Sequence, residues 1–473
     1  MKNQKLSILE KIGYGSGDAA VNVVISSMFL IITYFYTDIF GISPKDVALM
    51  FLLVRLIDAI SDPLMGIITD KYKSDKWGRF RPYFLYLSVP FGLAVFFTFS
   101  TPDFEYAGKL IYAYATYIFV TLMFTSVTIP YISLIGVLTN DPKERLSASG
   151  YRLFFAKVAA FGVSILVPIM AKFVGEIDWS TFSINGLNLA YEKLETPNLK
   201  TGYQAAMGVM AFLGTVLFLF CFFTTSERVE HEVEKTPYLE QLKYLFKNNQ
   251  WVLLLGSCLS GTTGYVIRAS VAIFYAKYYL GGDEIVQSTF MGTGVAAAIL
   301  AMPASTLITK RFCKVKLFWM SQFGVGILSV LMFVLVQPQP ESMMVAYVMY
   351  FILSFVVDVH APIFWTAIAE AVDYGQAETG VRVSGLAFGG ISFAQKAGMG
   401  IAGAVVGLLL SWFGYVAATE EIPNPVQSET ALLGISLMLT IIPGVFHVIN
   451  GILIHRYKIT DKYYETIKAK IHI

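Results

Sequence analysis

The chain has 473 residues, of which 56% are hydrophobic and 14% charged, with a formal net charge of +2. A mean hydropathy of +0.61 does not belong to a water-soluble domain, and apolar runs of about 20 residues, enough to cross a bilayer as a helix, recur from end to end. This balance excludes soluble enzymes and nucleic-acid-binding proteins and predicts an all-α polytopic membrane protein.

Twelve spans are predicted along the chain. Span 1, near 18–40, follows a polar amphipathic lead from Met1 to Gly17, and no small-residue cleavage site follows its core, so it reads as a span and not a secretory leader. Span 2, near 47–69, holds Arg55, Asp58, Ser61, Asp62 and Pro63 in an otherwise apolar run. A helix places 55, 58 and 62 on one face. One charge at mid-membrane costs roughly 2.5–3.5 kcal/mol on insertion scales, so such a cluster persists only if it pairs, meets water or binds an ion. One arginine cannot neutralise two carboxylates, and the trio reads as a cation site; the plainer alternative is that one aspartate merely pairs with Arg55.

Spans 3 to 6 fall near 82–100, 109–137, 152–173 and 204–225. The most polar internal segment, Ser226 to Asn249, reads as a connector between two six-helix bundles. The predicted organisation is therefore 1–225, connector 226–250, and 251–473. Spans 7 to 12 fall near 251–279, 286–309, 316–337, 342–367, 384–414 and 430–454. Basic residues gather in alternate loops and the tail: Lys71, Lys73, Lys76, Arg79 and Arg81; Lys310, Arg311, Lys314 and Lys316; Arg456, Lys458, Lys462, Lys468 and Lys470. The intervening loops hold Asp283 with Glu284 and Glu420 with Glu421, so the positive-inside bias puts both termini in the cytoplasm.

A shift of 240 residues superimposes Pro63…Ile68-Thr69 on Pro303…Ile308-Thr309, pairing span 2 with span 8 as two parallel halves require. The same shift sets Val295, Ala298 and Met302 opposite Arg55, Asp58 and Asp62, so the second half keeps the frame without the charges. Span 10 carries Asp358 and His360, candidates for a proton relay, with bonding to neighbouring helices as the alternative. Cys221, Cys258 and Cys313 lie in or beside apolar spans and imply no disulfide framework. His-Glu-x-x-His, a phosphate-binding glycine loop and a cysteine–histidine pair at metal spacing are all missing, so no catalytic residue is assigned and no cofactor is expected beyond a coupling cation.

Gly13-Tyr14-Gly15-Ser16-Gly17-Asp18, Phe35-Tyr36-Thr37-Asp38-Ile39-Phe40-Gly41, the Asp58–Pro63 block, Trp77-Gly78-Arg79-Phe80-Arg81-Pro82 and Val372-Asp373-Tyr374-Gly375 together resemble the glycoside-pentoside-hexuronide:cation symporters, a branch of the major facilitator superfamily that includes the melibiose transporters. The resemblance covers nearly the whole chain. It implies twelve helices, alternating access, and a sugar held between two halves, in a bacterial inner membrane.

The resemblance assigns the cation, H+ or Na+, to Asp58 and Asp62 with help from Thr125, and Ser61 stands where sodium-using melibiose members carry Asn. It places Asn22 and Thr128 where that branch has sugar-gripping carboxylates, and Ile132 where it has an aromatic ring. It retains Arg152 and Lys396 as the family's basic residues. Arg268, in the middle of span 7, adds a cation. Arginine matches carboxylate oxygens bidentately, so the expectation leans to an acidic sugar such as a hexuronide or oligouronide. The open alternative is a neutral glycoside, with Arg268 paired internally to Asp358 or Glu370. Trp365 is the candidate stacking ring, with Ser392 and Gln395 as hydroxyl partners. Asp70, Arg79, Arg81, Glu144, Arg145, Asp373 and Arg382 are candidate gating groups at one membrane face. The expected partners are a small sugar and lipid, with a monomer sufficient for function.

Overall fold

The computed structural model describes the backbone except at residues 1–4, 140, 182, 186–187, 230–237, 384, 419–421, 423 and 472–473, and the side chains except also at 56, 59, 63, 67, 70, 142–143, 146, 183–185, 188–190 and 238–239. Residues 230–237 of the predicted connector, Glu420, Glu421 and the side chain of Asp70 therefore lie outside the described residues, while the later part of the connector forms a helix, Tyr238–Lys247.

With no water in a bilayer core, each backbone amide and carbonyl must bond within its own helix, and the long apolar runs fold accordingly. In chain order the helices are α1 (Ile8–Leu30), α2 (Pro44–Lys71), α3 (Arg81–Thr98), α4 (Tyr106–Leu138), α5 (Pro142–Gly175), α6 (Leu199–Thr224), α7 (Asn249–Phe274), α8 (Glu284–Thr309), α9 (Lys314–Leu335), α10a (Met343–Asp358), α10b (Ala361–Thr379), α11 (Gly385–Trp412), α12a (Glu429–Leu439), α12b (Ile441–His455) and α13 (Asp461–Ile471). A two-stranded antiparallel hairpin, Ser183–Asn185 with Asn188–Ala190, precedes α6. Each of the twelve predicted spans coincides with helix. Among the described residues, nine helical segments are long and apolar enough to cross a membrane, and ten with the bent pair Ile8–Leu30 and Ile32–Ile39, which meet at 56°. The remaining two positions are α2, which carries the charged trio, and α3.

The chain forms two compact units: Met1–Val233 with Gly282–Gly292 and Val416–Val426, and Glu234–Gly281 with Thr293–Tyr415 and Gln427–Ile473. The 240-residue repeat hinted at by the prolines is explicit in the backbone. A π-helical turn closes span 1 at Phe35–Ile39 and span 7 at Tyr275–Tyr279. A left-handed glycine follows each, Gly41 at φ 78° and Gly281 at φ 68°, a conformation that costs glycine nothing. Two residues later comes an N-cap: Ser43 Oγ accepts from Asp46 N at 3.2 Å, and Asp283 Oδ1 accepts from Val286 N at 3.0 Å. All three features sit 240 positions apart.

Three expectations change. The polar lead to span 1 is itself helical from Ile8, with a capping box between Ser7 and Glu10. Span 10 is interrupted at Val359–His360, so Asp358 ends one helix and His360 begins the next. Span 12 breaks at Thr440, whose ψ of −83° stops the α-helical ladder.

Candidate functional site

In the first unit, α2 and α4 pack together and bring the charged trio under a row of hydroxyls. Arg55 Nη1 lies 2.7 Å from Asp58 Oδ2, a helical i,i+3 pair, and Arg55 Nη2 donates to Tyr117 Oη at 3.1 Å. Thr125, buried on α4, donates to Asp62 Oδ1 at 2.8 Å. Asp58 is paired with Arg55 at 2.7 Å, Asp62 accepts the Thr125 hydroxyl, and both carboxylates lie within electrostatic reach of Arg55. Ser61 directs its hydroxyl to the carbonyl of Asp58 at 3.4 Å, along its own helix.

In the same unit, Arg152 on α5 lies 3.2 Å from Asp18 on α1 through Nε and Oδ2. Its guanidinium sits 5.6 Å from the centroid of the Tyr131 ring, a cation–π contact. Tyr131 stacks on Tyr14 with centroids 5.1 Å apart and donates its hydroxyl to the Tyr14 carbonyl at 2.7 Å. Asn22, one turn beyond Asp18, donates to the Asp18 carbonyl at 2.8 Å. Thr128 has a buried hydroxyl with no hydrogen-bond partner among the described residues, and Ile132 is 41% exposed. Sequence reasoning counted the loss of carboxylates at 22 and 128 and missed their replacement: Asp18, one turn before Asn22, supplies a carboxylate against Arg152. The i,i+4 spacing of Asp18 and Asn22 was the available signal.

In the second unit, Arg268 is 5% exposed. Its Nε donates to the Leu439 carbonyl at 3.1 Å and its Nη2 to Ser329 Oγ at 3.3 Å. Asp358 lies within electrostatic reach, whereas Glu370 pairs with Lys314. His447 on α12b adds a buried network, with Nδ1 2.8 Å from Gln322 Oε1, which also accepts from Asn450 at 3.2 Å. His360 contacts the Val357 carbonyl through Nδ1 and stacks on Phe318 at 4.6 Å. On α11, Ser392, Gln395 and Lys396 are half-buried. Trp365 on α10b is 42% exposed and packs edge-on against Phe364.

The candidate gating groups have described partners within their own units. Glu144 pairs with Lys11 at 2.8 Å and accepts from Leu6 N at 3.2 Å; the Lys11 bond holds its carboxyl below the ordinary value despite a small opposing burial effect. Arg145 donates to the Thr139 and Gly136 carbonyls at 2.7 and 3.0 Å. Arg382 lies 2.7 Å from Asp373, which also accepts from Tyr464 at 2.6 Å. The Trp-Gly-Arg-Phe-Arg-Pro loop wraps a carboxylate that sequence reasoning missed. Glu227 accepts from the amides of Arg79, Phe80 and Arg81 at 2.8, 2.7 and 3.0 Å, at the N-terminus of α3 where the helix dipole favours negative charge. Arg79 donates to the Thr69 carbonyl at 3.4 Å. Arg81 donates to the Phe222 carbonyl at 2.7 Å and lies over the Phe222 ring at 4.9 Å.

A nearly all-helical chain with nine or ten membrane-length spans among the described residues, a repeated half and a charged cluster within an apolar helix agrees with what comparison finds. A family described as MFS/sugar transport protein matches residues 13–461. The chain is 32% identical to the "Putative glycoside/cation symporter YagG" of Escherichia coli over 99% of its length and 95% of the relative's. It is 32% identical to the "Isoprimeverose transporter" of Lactiplantibacillus pentosus (95% and 88%), and 28% identical to the "Glucuronide carrier protein homolog" of Escherichia coli (99% and 96%). The crystal structure of a D-xylose-proton symporter shares the fold, with a TM-score of 0.63 at 12% identity over 95% of this chain and 96% of that one. Relatives and structural neighbours alike are transporters, and the chain is not an enzyme: it belongs to the MFS/sugar transport protein family, with the major facilitator fold.

Proposed function

We propose that the chain is a symporter carrying one monovalent cation, H+ or Na+, with one neutral glycoside or pentoside, by alternating access across a bacterial inner membrane with both termini cytoplasmic. The observation that carries the cation half is the pair of carboxylates on one face of α2, Asp58 beside Arg55 and Asp62 beside the Thr125 hydroxyl. Relatives named for glycoside/cation symport and for isoprimeverose transport support the sugar half. The neutral reading rests on Arg268, whose guanidinium binds a carbonyl and a hydroxyl of its own unit, and on Asp18, which offsets Arg152.

Asn22, Thr128, Arg152, Trp365, Ser392, Gln395 and Lys396 are the proposed sugar-binding groups. Asp358 and His360 remain a proposed proton relay, and the gating groups are proposed to exchange partners during the cycle. A second reading, an acidic sugar, is favoured by the half-buried Lys396 and by the relative named a glucuronide carrier protein homolog.

Uptake into proteoliposomes separates the two. Moving one charge through 100 mV is worth about 2.3 kcal/mol, so one cation with a neutral sugar responds to an imposed potential and one cation with a monoanion does not. Potential-driven uptake of a neutral xyloside, abolished by Asp58→Asn and by Asp62→Asn, is the expected result. Potential-insensitive uptake of a uronide alone would reverse the substrate assignment, and normal accumulation by either variant would remove the cation site.

A further inference from the structure

Helix α4 carries a polar stripe at Tyr117, Thr121, Thr125 and Thr128, spaced so that one helical face holds all four. Two contacts fix how that face meets α2: Arg55 with Tyr117, 62 positions apart, and Asp62 with Thr125, 63 positions apart. The pairs ascend together, so the helices run in the same direction at this contact. Asp58, three residues past Arg55, therefore lies at the level of Thr121, four residues past Tyr117.

Thr121 is 4% exposed, and its Oγ1 is buried with no hydrogen-bond partner among the described residues. A helical serine or threonine ordinarily returns its hydroxyl to a carbonyl of the preceding turn. Thr116, Ser126 and Ser133 of the same helix do so, at 2.9, 2.8 and 3.0 Å. Thr121 does not. A buried hydroxyl left unsatisfied costs about 1–3 kcal/mol, and its place on α4, at the level of Asp58 and one turn before Thr125, offers a reason to tolerate that cost. Among the described residues no group of three or more His, Cys, Asp or Glu side chains could hold a metal ion. A metal cation at this place would have to recruit neutral oxygens, and Ser61 directs its own along α2.

We propose that Thr121 is a ligand of the coupling cation, completing with Asp58, Asp62 and Thr125 a four-oxygen site for Na+ or Li+. The inference rests on the assignment of the coupling cation to Asp58 and Asp62. A hydroxyl serves both charges at once: its proton goes to a carboxylate while its lone pair faces the ion. Hard oxygen donors suit a hard cation.

The test is the thermal unfolding of the purified full-length protein, titrated with NaCl or LiCl against choline chloride at constant ionic strength. Wild type is expected to show a saturable rise in Tm. Thr121→Ala is expected to raise the half-saturating Na+ concentration about tenfold, one lost oxygen contact counted as one hydrogen bond. Thr121→Ser is expected to restore it and Asp58→Asn to abolish the response. Unfolding in choline alone reports whether the alanine variant is folded, and the near-isosteric Thr121→Val gives the same reading if it is not. An absent Na+ and Li+ response in wild type, with Asp58→Asn still blocking proton-driven accumulation, overturns the proposal and leaves the carboxylate site standing. Thr121→Ala titrating like wild type while Asp58→Asn loses the response does the same. A Na+ response kept by both aspartate variants removes the site altogether.

Discussion

Arg268 donates from Nε to the carbonyl of Leu439 at 3.1 Å, and Leu439 is the last residue of α12a before the break at Thr440. A helix end leaves its final carbonyls without intrahelical partners and carries partial negative charge. In a bilayer core no water can satisfy them. A guanidinium on α7 supplies both the donor and the compensating charge. This bond gives Arg268 a partner within its own unit, at the end of a broken span.

Arg268→Met is accordingly expected to lower stability by about 1–3 kcal/mol, the cost of leaving a buried acceptor unsatisfied, while the ratio of uronide to neutral-sugar competition stays unchanged. Thermal unfolding in detergent and competition of labelled sugar uptake check the two halves. Loss of uronide competition alone would return Arg268 to the substrate site.

Asp18 has the opposite role, holding Arg152 in an ion pair. Asp18→Asn removes the compensating charge and leaves a planar donor fork that fits a carboxylate. Competition by a uronide is expected to strengthen relative to a neutral glycoside, by about tenfold for each 1.4 kcal/mol gained. Equal competition profiles in the variant and the wild type would show that Arg152 does not face substrate.

Gly78 adopts φ +87°, and a Cβ there would stand 2.4 Å from Cδ of Glu227. The glycine lets the loop close over the carboxylate that binds three amides. Gly78→Ala is expected to cost at least about 1–2 kcal/mol from the left-handed backbone alone, with further loss as Glu227 is pushed out. Glu227→Gln is expected to weaken the same junction, since charge-assisted bonds are roughly twice as strong as neutral ones. Unfolding temperatures of the two variants and their double mutant test this, and a full additive loss would deny that the residues act together.

Asp283 gives a pH-dependent contribution. Burial would raise its carboxyl, but Lys172, 3.0 Å away, and the Val286 and Ile285 amides outweigh it and hold the group below its ordinary value of 3.8. A depressed folded-state value means stability present above 3.8 and lost as pH falls through the lower folded value. The Tm difference between wild type and Asp283→Asn is expected to be constant near neutrality and to close on acidification. A difference that widens in acid would contradict the sign.

Much of this was legible in one dimension. The spans follow from runs of apolar residues matched to bilayer thickness, and the grouping of Arg55, Asp58 and Asp62 follows from helical spacing. The repeat was visible in two prolines and proved to extend to a π-turn, a left-handed glycine and an N-cap, each a local feature of the chain. The breaks at His360 and Thr440 stand two and three residues before Pro362 and Pro443, and a proline inside an apolar run, which removes a helical donor, was the local signal for each.

Partner identity was decided by packing alone. Arg268 meets a carbonyl 171 positions away, Arg152 meets Asp18 across two helices, and Glu227 meets amides 146 to 148 positions before it. Helical periodicity determines which residues share a face. Which faces then meet depends on how helices far apart in the chain pack, and this separates an arginine that caps a helix from one that could bind a sugar acid.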